Sequence, residues 1–352
     1  MFSMQKVVMP TPTPAVTRSR RRRAVAASLL VLLAAALGLA ACGSSSSGSG
    51  SKSLALVAYS TPQGAYEKLI PAFQASGVGK GVSFSQSYGP SGEQSRAVVN
   101  GLHADVVNFS LQPDVEKLVK AGLVSPTWNQ NATHGFVTNS VAVIIVRKGN
   151  PKHITGWSDL TKPGIGVVTP NPFTSGSARW NIMAAYGAQL KEGKTPAQAE
   201  EYLKELFKNV VSQDSSARNA LQTFLAGRGD ALIDYEDEAI SDEKKGAAIE
   251  YVIPPATILI QNPIAVLGGG NTAEAQKFVN YLLSPAGQQI WVEKGYRPVI
   301  SGVPGADKFP TPKSLFTISS LGGWKTVTKQ FFEPETGIVT KIEQSLGVST
   351  AK

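Results

Sequence analysis

Short apolar runs rich in Val and Ile recur along the chain: 54–59 (LALVAY), 82–87 (VSFSQS), 105–110 (DVVNFS), 140–146 (SVAVIIV), 166–170 (GVVTP) and 231–235 (ALIDY). Between them, apolar residues fall three and four apart, as in Ile182, Ala185, Tyr186 and Leu190, or Leu221, Phe224 and Leu225. That spacing is the signature of one buried helix face, and strands alternating with such helices predict an α/β fold. No internal repeat points to a solenoid.

The chain has 352 residues, which at about 150 residues per domain predicts two domains. With 42% hydrophobic and 17% charged residues it has enough apolar material for a sizeable core, which excludes a wholly disordered chain or a multi-span membrane protein. The net charge of +9 is misleading, because Lys6, Arg18, Arg20, Arg21, Arg22 and Arg23 precede residue 42 with no acid among them. Without them 28 basic residues face 25 acidic ones, a balance of +3 that lacks the dense basic face a nucleic-acid partner requires. The single cysteine, Cys42, has no internal partner for a disulfide.

Basic residues 18–23, an apolar stretch over 24–41 and the sequence Leu39-Ala40-Ala41-Cys42 together resemble a bacterial lipoprotein signal. The resemblance implies that residues 1–41 are removed and that Cys42 carries the lipid that holds the protein to the membrane on its extracytoplasmic face. An uncleaved membrane helix is the alternative, since 18 apolar residues are just long enough to span a bilayer. Residues 42–53 then form a Gly/Ser tether, and the folded body begins near Leu54.

Three strand-to-helix junctions share one chemistry. They are Tyr88-Gly89-Pro90-Ser91-Gly92-Glu93-Gln94-Ser95, Phe173-Thr174-Ser175-Gly176-Ser177-Ala178-Arg179 and Gln213-Asp214-Ser215-Ser216-Ala217-Arg218. Each places hydroxyl or glycine residues at a helix start. One such junction reads as ordinary N-capping. Three read better as a set of free backbone N–H groups that hold an oxyanion without any cationic side chain.

The segment Asn171-Pro172-Phe173-Thr174-Ser175-Gly176-Ser177-Ala178-Arg179-Trp180 resembles a signature of bacterial sulfate-binding proteins. Gln86–Ser95, Val146–Lys152, Asp214–Arg218, Ser284-Pro285-x-Gly287-Gln288 and Tyr296-Arg297-Pro298 match other family segments in the same order, from about Leu54 to Trp324. The resemblance implies a two-domain periplasmic-binding-protein fold of type II, with the ligand in the interdomain cleft. Its domains would be 54–138 with 258–352, and 139–257. It further implies anion contacts from Ser60, Ser91, Ser175, Gly176, Ser177, Ala217 and Tyr235, with Arg179 and Arg218 supporting the loops. Phe173 and Glu93 stand where the family has Lys, and Tyr235 stands where its best-known members have Trp.

The implied function is capture of sulfate, or thiosulfate, for an ABC importer made of a permease and an ATPase, by a monomeric, non-catalytic receptor with no metal or cofactor. Another oxyanion such as molybdate is the alternative ligand. An extracellular serine hydrolase is the enzyme alternative, but neither Ser91 nor Ser175 lies in a Gly-x-Ser-x-Gly elbow, and His103, His134 and His153 are the only histidines. Asp234, Glu236, Asp237 and Glu238 read as a solvated helix start rather than a metal loop. Trp157, Trp180 and Trp291 read as core. With no cation or histidine assigned to the anion, affinity is expected to stay flat from pH 5 to 8.

Overall fold

The computed structural model describes residues 52–348 and residue 350, so the expected leader, Cys42 and most of the tether lie outside the described residues. The elements run β1 (Lys52–Tyr59), α1 (Gln63–Ala75), β2 (Val82–Gly89), α2 (Ser91–Val99), β3 (Val106–Asn108), α3 (Gln112–Lys120) and β4 (Phe136–Arg147). After these come β5 (Val167–Pro170), α4 (Gly176–Lys191), α5 (Pro196–Lys208), β6 (Val210–Asp214), α6 (Ala217–Leu225), β7 (Ala231–Tyr235), α7 (Glu236–Lys244) and β8 (Ile249–Val252). The chain ends with β9 (Ala256–Val266), α8 (Thr272–Leu283), α9 (Pro285–Glu293), β10 (Ser314–Phe316), α10 (Gly323–Phe332) and α11 (Ile338–Ser345).

The main strand order is β2-β1-β3-β9-β4-β7-β5-β6, with β10 on β9 and β8 on β4. Two long strands divide it into lobes. Residues Phe136–Val141 of β4 pair antiparallel with Leu259–Pro263 of β9, and β4 then continues along β7 and β8. The far end of β9 pairs with β3. Within each lobe the remaining central strands are parallel: β2, β1 and β3 in the first, β7, β5 and β6 in the second.

Parallel strands covered on both sides explain the unbroken apolar runs. In β1, Leu54, Leu56 and Ala58 pack with Tyr66, Leu69, Phe73, Phe278 and Trp291, while Val57 faces the opposite cluster of Val98, Val107, Phe109 and Leu118. In β4, Ala142, Ile144 and Val146 join Trp180 and Met183, while Val141, Val143 and Ile145 join Phe224 and Leu232. Trp157, Trp180 and Trp291 are all buried.

The C-terminal segment departs from the expected division of the chain. Phe316, Trp324, Val327, Phe331, Phe332, Val339 and Ile342 pack in the core of Trp180 and Tyr186, so β10, α10 and α11 join the second lobe although 258–352 was assigned to the first. Apolar area decides this allegiance: Trp324 meets Trp180 edge-on at 4.6 Å and Phe331 meets Tyr186 at 4.8 Å.

Candidate functional site

The predicted contact residues all lie beyond the carboxyl ends of strands that run parallel within their lobe: Ser60 after β1, Ser91 after β2, Ser175, Gly176 and Ser177 after β5, Ala217 after β6, and Tyr235 at the end of β7. Ligands of open α/β sheets bind in this crevice.

The helix starts separate the two readings of the junctions. Neither α2 nor α4 has a side-chain cap at its first turn. Ser91 turns its hydroxyl the other way, donating to Asp114 Oδ2 at 2.6 Å and accepting from the Ser110 backbone at 3.0 Å. Of the three helices at these junctions only α6 is capped, by Ser216 accepting from the Asn219 N–H at 3.2 Å. Helix dipoles add positive potential at such uncapped N–H groups.

The second lobe's loops are built as one unit. The Asn171 side chain accepts from Phe173 N at 2.8 Å and its carbonyl accepts from Ser175 N at 2.9 Å, which folds the loop before α4. Thr174 Oγ1 donates to the Ser215 carbonyl at 2.9 Å, binding that loop to the one before α6. Arg179 donates through Nε to the Pro172 carbonyl at 2.8 Å and lies 4.7 Å over the Phe332 ring, so it fastens the loop to α10. Phe173 is buried beside it.

The lobes meet directly across this region. Gly92 N donates to the Thr174 carbonyl at 3.2 Å, and the Trp180 indole donates to the Ser110 carbonyl at 2.8 Å. The Ser110 and Tyr235 hydroxyls are 2.7 Å apart, with Ser177 and Asn262 also facing the phenol. Arg218 donates to the Thr61 carbonyl at 2.9 Å and pairs with Glu238 at 3.2 Å. Ser91, Ser175, Ser177, Ala217 and Tyr235 are all buried, and Ser60 is half-buried. Burial pushes the Tyr235 phenol well up from its ordinary value, so it stays protonated and able to donate.

Sequence reasoning missed Ser110, Asn262 and Asp114. Ser110 stood in plain view at the end of an apolar run, but only pairing across the lobes brings it to Tyr235. The acidic run is buried, not a solvated helix start. Asp234, Glu236, Asp237 and Glu238 are each 3% exposed or less, because β7 and the start of α7 are covered from the first lobe by Tyr59, Tyr296 and Arg297. Glu236 is held by Arg297 in a two-bond pair at 2.6 and 2.9 Å. Burial pushes Asp237 up to about 8 and Glu238 up to about 7. Among the described residues no three His, Cys, Asp or Glu side chains form a group that could hold a metal ion.

Two α/β lobes linked by paired long strands, with strand-end loops facing one another across a buried polar seam, define a receptor that closes around a small solute. The chain belongs to the family of bacterial extracellular solute-binding proteins, whose model matches residues 54–297. It is 41% identical over 305 residues to a sulfate-binding protein of Synechococcus elongatus, covering 83% of this chain and 87% of that one. A thiosulfate-binding protein of Pseudomonas aeruginosa is 34% identical over 291 residues, covering 78% and 88%. Among solved structures, the sulfate-binding protein SubI of Mycobacterium tuberculosis superposes with a TM-score of 0.78 at 43% identity, covering 80% of this chain and 100% of that one.

Proposed function

We propose that this protein captures sulfate outside the cytoplasm and delivers it to an ABC importer. The observation that carries the reading is the pair of uncapped helix starts, at α2 and α4, that meet across the seam where Gly92 N reaches the Thr174 carbonyl. Fixed N–H dipoles in a dry cleft replace the water shell of a dianion without a counter-ion. The relatives named for sulfate and thiosulfate support that ligand class.

In this reading the anion is bound by backbone N–H groups of Ser91, Gly176, Ser177 and Ala217, with hydroxyl bonds from Ser175 and Tyr235 and with Ser60 beside it, the Ser175 N–H being already given to the Asn171 carbonyl. Arg179 and Arg218 keep the loops in place. The Ser91 hydroxyl, already donating to Asp114, contributes no further bond. Closure on the ligand produces the shape that permease and ATPase recognise. The protein acts as a monomer, without catalysis, tethered by a lipid on Cys42.

Calorimetric titration with sulfate, thiosulfate, molybdate and phosphate tests the reading. Tight sulfate binding is the expected result. A preference for thiosulfate changes the assignment within the class, and no binding of any oxyanion rejects it.

A further inference from the structure

The end of the first lobe that points away from the crevice is a face the anion contacts do not use. Strands β1, β2 and β3 are parallel, so their starts share that end, and β9, antiparallel to β3, finishes there with Val266 opposite Val106. Four turns therefore lie together, at 76–81, 100–105, 121–126 and 267–272. Asp105 N donates to the Ala55 carbonyl at 2.8 Å, Gly268 N to the Leu123 carbonyl at 3.0 Å and Asn271 Nδ2 to the Ser53 carbonyl at 3.0 Å, which fixes three of these turns around the start of β1.

This end combines exposed apolar groups with unopposed cations. Of the six exposed large apolar side chains among the described residues, Val78, Val99 and Leu102 are found here, Val78 at 56% exposure. A groove of about 710 Å³ opens at the same end, with Leu123, Trp128 and Leu267 in its wall. Lys52, Lys80 and Lys120 are exposed. The one acid within the four turns, Asp105, is buried and accepts from the Ala55 N–H at 2.7 Å. Glu274, just beyond them, is engaged by Lys52 and Lys277. The matching end of the second lobe is different, because there Asp230 pairs with Lys152 at 3.8 Å and Glu250 is exposed.

We propose that this end of the first lobe rests on the lipid bilayer, with Val78, Val99 and Leu102 entering the headgroup region and the lysines meeting anionic phospholipid. The inference rests on the membrane-tethered part of the reading above. Apolar side chains at headgroup depth and lysines at an anionic surface reinforce one another, and an exposed carboxylate would oppose both. Lys52, the first described residue, lies on this face and is ten positions from Cys42. Ten residues span at most about 35 Å, so a lipid on Cys42 holds this face close to the bilayer. A short tether of that kind supplies an effective concentration on the order of millimolar, which populates a contact too weak to retain a lipid-free chain.

The test is amide hydrogen exchange of the full chain reconstituted in vesicles of phosphatidylcholine, alone or mixed with phosphatidylglycerol. Exchange at 76–81 and 100–105 should be slower in the anionic vesicles than in the neutral ones. That protection should be lost in about 1 M salt, where the screening length falls from about 10 Å to about 3 Å. Val78→Asp combined with Leu102→Asp should abolish it and leave sulfate affinity unchanged. Equal exchange in anionic vesicles, neutral vesicles and detergent overturns the proposal, and the wild-type protein decides this by itself should the variant fail to fold. Equal protection of 227–230 in the second lobe overturns it as general adhesion, and protection that grows with protein concentration in detergent overturns it in favour of a second copy of this chain. Sulfate titration of the same vesicles reads the proposed function separately: protection of this face without sulfate binding supports the membrane contact and rejects that function.

Discussion

The hydroxyl oxygens of Ser110 and Tyr235 lie 2.7 Å apart, one just beyond β3 in the first lobe and the other at the end of β7 in the second. A phenol has one proton and two lone pairs. If Ser110 donates to the phenol oxygen, the Tyr235 proton remains free for an anion, and in the proposed reading one side chain would then both close the seam and contact the ligand.

Tyr235→Phe removes both roles. A hydrogen bond to a charged group contributes roughly 1.5–3 kcal/mol, so sulfate should bind about ten- to a hundredfold more weakly. Ser110→Ala removes only the seam bond, about 1 kcal/mol, and should weaken binding about fivefold. Equal losses in the two variants, measured by titration, would show that Tyr235 acts on closure alone.

Gly176 opens α4 where the lobes touch. A Cβ there would lie 2.8 Å from Leu111 Cγ and 2.9 Å from the Ser110 side chain, both across the seam. Gly176→Ala should leave the thermal stability of the ligand-free protein unchanged or slightly raised, because Ala favours a helix. Overpacking of about 1–3 kcal/mol on closure should cost roughly five- to 150-fold in sulfate affinity. Unimpaired binding would mean that the lobes need not approach this closely.

Phosphate should bind at least about a hundredfold more weakly than sulfate at pH 7. It keeps a proton that needs an acceptor, and an N–H aimed at that proton is left unpaired at a cost on the order of 1–3 kcal/mol, with repulsion added. None of the proposed contacts is a carboxylate, and Asp114, bonded to Ser91, is already occupied by the Ser91 hydroxyl and Lys117. Competition titration checks it, and comparable affinities would sink the donor-only site.

Glu343 is buried on α11 with one oxygen bonded to Gln213 at 2.9 Å and the other unpartnered, and burial pushes it up to about 7. The native state therefore holds this proton after the unfolded chain has released it, so stability falls as pH rises from the ordinary glutamate range to about 7. Glu343→Gln should stabilise the protein by about 1–3 kcal/mol at pH 8 and by little at pH 4. Melting curves at the two pH values decide; a penalty that is the same at both would assign the effect to packing.

A chain without residues 1–42 should bind sulfate as the full chain does and be found in the soluble fraction, since the proposed lipid on Cys42 is its membrane attachment. Fractionation with mass spectrometry checks this. A wild-type protein found uncleaved and without lipid would reject the anchor.

The amino-acid sequence alone determined six of the ten described strands and the loops proposed to hold the anion. Leu54–Tyr59 and Ser140–Val146 read as strands because a parallel strand covered on both faces must be apolar throughout. The loops around Ser91, Ser175 and Ala217 were legible because short polar and glycine residues at helix starts are a local pattern. β9 escaped notice because Gln261, Asn262 and Pro263 interrupt its apolar run. Those residues sit at the crossing between lobes, where Asn262 bonds to Ser110 and the Pro263 carbonyl accepts from Phe109 and Asn108. The acidic run at Asp234–Glu238 carries no local sign of burial. Its fate follows from Tyr59 and Tyr296, residues 58 to 179 positions away, and from Arg297 reaching Glu236. Likewise Trp324 and Phe331 could have covered either lobe, and the aromatic surface of α4 settled which. Local pattern decides how a segment folds on itself, whereas burial, partnership and proton affinity depend on which distant surface removes the water.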